Sequence, residues 1–212
     1  MNRDETGSAP RQALRREAVA DAMLAQPVAA HCANLPWANA GSVFAACLFV
    51  VTQWRAVVAN ALLSWLALLA VVLVLHTLLS SVAPKVEGEV PLRRAWLWRF
   101  RVAFLLRGLA WGLTSLLLQQ SGDPLHRAVL VVVLCGVTAS AFVLSAFDLT
   151  AVLCFGVPVL GMLSLRLFGQ PEPTLWALGV AVIGVLIFMG LVARRAQGLV
   201  RSSVACTPRW PR

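Results

Sequence analysis

The chain has 212 residues, of which 59% are apolar and only 13% charged, with a formal net charge of +9. A soluble domain carries nearer a quarter charged residues, and a protein this small lacks the volume to cover so many uncharged helical runs in water. An ordinary soluble domain is therefore excluded, and with no basic and aromatic reading surface in view, nucleic acid is excluded as the partner of the positive charge.

The first ten residues are polar, with Gly and Pro, and are expected to be disordered. They mix acidic with basic side chains and lead into no apolar core, so the first membrane helix should act as its own uncleaved insertion signal. Over residues 11–30, Leu14, Ala18, Val19, Ala22 and Met23 recur at helical spacing while Arg11, Arg15 and Arg16 sit elsewhere on the turn. This predicts an amphipathic helix in the headgroup layer, with an ordinary cytosolic helix as the alternative.

Residues 33–195 are expected to form an all-α polytopic bundle of about six transmembrane helices, with spans near 35–53, 59–82, 102–120, 128–146, 149–168 and 174–193. Each is long enough, at 1.5 Å per residue, to cross about 30 Å of hydrocarbon. Orientation follows from Lys and Arg placement. Of the eighteen, fourteen fall on the side of the termini, three (Arg55, Arg127 and Arg166) fall in the opposite loops, and Arg107 lies within a span. Both termini are thus expected in the cytoplasm, and the compartment is expected to be an inner (cytoplasmic) membrane. The longest connection, PKVEGEVPLRRAWLWRFR over residues 84–101, alternates Trp96 and Trp98 with basic side chains, the composition of an interfacial anchor.

Chemistry-bearing patterns are sparse. Five cysteines are scattered without a CxxC pair, and His31, His76 and His126 stand far apart, so neither a metal site nor a cofactor is predicted. No nucleophile with a base and no phosphate-binding glycine loop is present, so no catalysis is expected. The candidate sensing or packing residues are Arg107, Gly108, Trp111, Gly112, Asp148 and Pro158.

Gly108 and Gly112 form a GxxxG pair, which lets two helix backbones approach closely; packing within the bundle is the safer expectation, dimerisation the other. Gly136 and Ser140 repeat the spacing. Arg107 is the costly intramembrane charge. It lies six residues past Arg101, about 9 Å along a helix, so snorkelling to the headgroups is weighed above a sensing role. Asp148 is expected to cap the fifth span, or else to serve as counter-ion for Arg107. Pro158 frees a carbonyl inside the fifth span and can kink it.

The order LRREAVADAMLAQPVAAHCANLPWANA, a basic inner loop, FLLRGLAWGLTSLLL, DPLHRAVLVVVLCGVTASAFVLSAF and FGVPVLGMLSLRLF resembles the six-helix N-terminal membrane domains of bacterial sensor histidine kinases and diguanylate cyclases. The likeness covers roughly residues 14–200 and is firmest at GLAWG and FGVP. It implies a signal-input module whose last helix drives an output domain, working as a homodimer or paired with a full-length relative. This sequence departs from that pattern after residue 201, where SSVACTPRWPR follows and no phosphoacceptor, ATP-binding or cyclase motif is found. Residues 196–212 are accordingly expected to be a short cytoplasmic tail, truncated or frameshifted. A small transporter or channel subunit is the alternative function, although neither an inverted repeat nor converging intramembrane carboxylates are evident.

Overall fold

The computed structural model describes residues 8–83, 90–117 and 124–206. Among these the chain is entirely helical: α1 (Ser8–Gln53), α2 (Ala59–Val82), α3 (Val90–Gly112), the single turn α4 (Thr114–Leu117), α5 (Pro124–Ser145), α6 (Leu149–Phe168) and α7 (Pro173–Cys206). Five helices carry stretches long and apolar enough to cross a membrane: Pro27–Gln53, Ala59–Val82, Pro124–Ser145, Leu149–Phe168 and Pro173–Arg195. Together with α3 they make a polytopic membrane helix bundle. Large apolar side chains cover its outside, including Val71, Val74 and Leu78 on α2 and Val180, Ile187 and Phe188 on α7. Water would expose all of them at a cost, whereas hydrocarbon tails solvate them.

Several boundaries differ from the expectation, among them the end of the last helix, which reaches Cys206. No break separates the proposed interfacial helix from the first span, because α1 is one helix of 46 residues that carries Pro27 and Pro36 internally. Its start at Ser8 also places residues 8–10 in the helix rather than in a disordered segment, while residues 1–7 lie outside the described part. A further difference is larger. The third helix begins at Val90, well before residue 102, and ends at Gly112, with Leu113 in a turn before α4.

Much of the supposed interfacial connection is therefore helix, and Trp96 is buried with Leu97 and Phe100 against Val28 of α1. Arg99 stacks its guanidinium 4.8 Å from the Trp96 ring centre, a cation–π contact, while Trp98 alone of the two indoles stays exposed. The inward positions Trp96, Phe100, Phe104, Arg107 and Trp111 recur every three or four residues, the spacing of one helix face.

The main core runs between the helices and contains Phe49, Leu62, Trp65, Trp111, Leu134, Phe155 and Leu163, all at or below 5% exposure. Helix α6 is central: its broadest contacts are with α3 on one side and α7 on the other. Two of the hydroxyls inside the bundle are satisfied within their own helices, as Thr138 donates to the Leu134 carbonyl and Ser164 to the Leu160 carbonyl. This back-bonding is how a helix carries Ser and Thr where no water is available.

Candidate functional site

Helix α3 leans on α6 through its two glycines. A methyl group added at Gly108 would lie 2.6 Å from the Phe155 carbonyl oxygen and 2.9 Å from its Cα. One added at Gly112 would lie 2.6 Å from the Met162 sulfur and 2.8 Å from the Pro158 carbonyl oxygen. Backbone touches backbone, so this GxxxG pair packs within the bundle. Pro158 contributes indirectly. It has no N–H to offer the carbonyl one turn earlier, that of Cys154, and this oxygen faces Gly108, 3.1 Å from the methyl position. Gly136 and Ser140 share the spacing but not the role. Both are exposed, and nothing lies within 4 Å of a methyl at Gly136.

Trp111, between the two glycines, is fully buried and meets the Trp65 ring edge-on at 5.4 Å. The Trp65 indole donates to the Ala110 carbonyl at 2.7 Å, near the end of α3, where helix carbonyls lose their own donors. Phe49 of α1 closes the row against Trp65 at 5.2 Å. Aromatic contacts of this kind tie α1, α2 and α3 into one unit.

Arg107 does not snorkel. Its side chain is 3% exposed, and its guanidinium donates to Asn39 Oδ1 at 3.2 Å, to the Ala38 carbonyl and to Ser42 Oγ, all on α1. Asn39 is oriented in turn, since its amide donates to Thr77 Oγ1 of α2 at 2.8 Å. Three neutral oxygens thus take three of the five guanidinium N–H groups, and among the described residues no carboxylate pairs with Arg107. Beside it lies a cavity of about 180 Å³ between α1, α3, α5 and α6, bordered by Gly41, Ser42, Phe104, Arg107, Ser140 and Ser145.

Asp148 performs the expected cap and not the alternative pairing with Arg107. Its carboxylate accepts from the backbone N–H groups of Thr150 at 3.0 Å and Ala151 at 3.3 Å, opening α6. Its charge partner is Arg101, whose Nε and Nη2 donate to it at 3.0 and 3.2 Å. His31 Nε2 lies 3.6 Å away, inside an aromatic cage of Phe100, Phe104 and Phe147. Arg107, the proposed counter-ion, belongs to the α1 cluster instead.

Burial opposes ionisation of Asp148, but the hydrogen bonds and charge of Arg101, with His31 close by, outweigh it and hold the carboxyl down at about 2. A carboxyl whose native value lies below its ordinary 3.8 stabilises the fold above that value. The contribution is lost as acid protonates it. Thermal unfolding of the detergent-solubilised chain should lose stability progressively from about pH 5 down to about pH 2, and Asp148→Asn should flatten that slope. An unchanged slope in the variant would remove Asp148 as its source.

Sequence reading missed Asn39, Ser42, Arg101 and the histidines' setting. His31 and His76, distant in sequence, both pack their rings on Phe100 and Phe104. Among the described residues no cluster of three or more His, Cys, Asp or Glu side chains could hold a metal.

Comparison with protein-family models, with curated proteins and with solved structures finds no match. Fold and site together define the class: a polytopic α-helical membrane protein that keeps one guanidinium inside its bundle beside a cavity.

Proposed function

We propose that this chain is a signal-input domain of the bacterial inner membrane, with both ends in the cytoplasm, that passes a cue out through α7. The observation that carries this reading is the continuity of α7. It runs unbroken from Pro173 to Cys206, beyond the apolar stretch that ends at Arg195. Over its apolar length it packs along α6, which is locked by the glycine contact to the Arg107 helix. A change in how α3 seats on α6 therefore has a mechanical route into α7 beyond its apolar stretch, where Gln197 donates to the Phe147 carbonyl at 3.2 Å. The sequence likeness to sensor-kinase and cyclase input domains points the same way, and the excess of Arg and Lys around the termini supports the orientation.

Switching requires two packings of similar energy, with the cue binding one of them better. Output would come from a homodimer or from pairing with a full-length relative. The test is to fuse residues 1–201 to a dimeric histidine-kinase output and reconstitute the fusion in liposomes. Gly190 lies on the α6–α7 contact, 3.9 Å from Leu153 at the methyl position, so Gly190→Leu wedges that seam. Together with Arg107→Gln it should change autophosphorylation at least about fivefold, the low end of ordinary allosteric coupling. Kinase activity indifferent to both changes would defeat the proposal.

A further inference from the structure

We infer that the Arg107 cavity is a binding site for the carboxylate end of a single-chain anionic amphiphile, such as a free fatty acid, entering sideways from the bilayer. A guanidinium 3% exposed in hydrocarbon-soluble surroundings is held by three neutral acceptors, and no described carboxylate balances it. A buried charge is ordinarily paired. An anion supplied from outside would complete the site, and charge-assisted bonds from Arg are about twice as strong as neutral ones.

The cavity holds about 180 Å³, slightly more than the ~150 Å³ that accepts a benzene molecule. That is room for a carboxylate and its first methylenes, not for a glycerophosphate with two chains. Its walls are largely apolar, with Phe104, Val137 and Phe155 on the inner side. Trp37 and Phe44, which border the cavity on α1, are 74% and 72% exposed, and across the opening on α5 Ser140 is exposed as well. Gly41 at the rim has nothing within 4 Å of a methyl position. The mouth therefore faces the lipid between α1 and α5, where the rest of an acyl chain can stay among the bilayer tails.

As a cue for the input domain this inference rests on the signalling reading, but binding is measured without any output. The full chain, purified in detergent, is titrated with tritiated palmitate at mildly alkaline pH. Saturable binding is expected, with hexadecanol competing at least about tenfold more weakly because it brings no charge to Arg107. Arg107→Gln should weaken palmitate at least about tenfold. Since losing Arg107 could unsettle the bundle, Gly41→Leu provides a second variant, one that fills the cavity from its open rim and leaves the guanidinium in place. It should unfold at the wild-type temperature and still bind at least about tenfold more weakly.

Equal competition by hexadecanol would overturn the inference, as would wild-type affinity in folded Gly41→Leu. Displacement by phosphatidylglycerol as effective as by unlabelled palmitate would assign the site to a phospholipid headgroup and overturn it too. Palmitate binding with a kinase fusion that ignores palmitate would remove the amphiphile as the cue and leave the site standing.

Discussion

Gly108→Ala should destabilise the folded bundle by about 1–3 kcal/mol, the usual cost of forcing atoms into a packed seam. The added methyl would sit 2.6 Å from the Phe155 oxygen and 2.9 Å from its Cα, and neither backbone atom can turn aside as a side-chain tip would. Either α3 or α6 has to move along its length. Alanine's better helix propensity, at most about 1 kcal/mol, offsets only part of this. The contrast is Gly184, which is exposed and has nothing within 4 Å of its methyl position. Gly184→Ala should leave the unfolding temperature unchanged or raise it slightly. Thermal unfolding in detergent, read by circular dichroism, separates the two. Equal behaviour of the two variants would show that α3 and α6 do not meet at Gly108.

Asp148→Ala is expected to cost about 2–4 kcal/mol, through a lost helix cap and a lost charged hydrogen bond. The figure stays below that of a fully buried ion pair because Arg101 is 30% exposed and water screens it. Asp148→Asn keeps a capping oxygen and should recover about 1 kcal/mol of the loss. Arg101→Gln should cost less than Asp148→Ala, since the cap to Thr150 and Ala151 survives it. Chemical unfolding of the three variants in mixed micelles checks the order. An Arg101 variant as damaging as Asp148→Ala would place the energy in the ion pair and not in the cap.

What the sequence made legible and what it hid follow from the range of each signal. The apolar runs of α2, α5, α6 and α7 are local, and their positions agree with the expectation to within a few residues. The start of α3 was obscured because Arg93, Arg94, Arg99 and Arg101 make its first turns read as a polar loop. The recurrence of the apolar residues Trp96, Leu97, Phe100 and Phe104 at helical spacing was the available clue.

Spacing likewise identified Gly108 and Gly112, yet the same spacing at Gly136 and Ser140 faces outward. A repeat shows that a helix has a smooth stripe, not what lies against it. The partners of the charges were hidden for a different reason. Arg101 and Asp148 are 47 positions apart, and Arg107 lies 68 from Asn39. Nothing within a turn or two of either arginine announces its partner. Asn39 and Ser42 are neutral residues in an apolar run, and only their one-turn spacing on α1 hints that they serve a common donor.

The bundle depends on hydrocarbon surrounding the outward faces of its helices. Spin labels placed singly at Val71, Val74, Val180 and Ile187, each more than half exposed, test this in liposomes in a cysteine-free background. Relaxation by oxygen, which dissolves in lipid, should be strong at all four sites, and relaxation by a water-soluble nickel chelate should be weak. Strong nickel relaxation at these positions would mean that water bathes them, contradicting a membrane bundle.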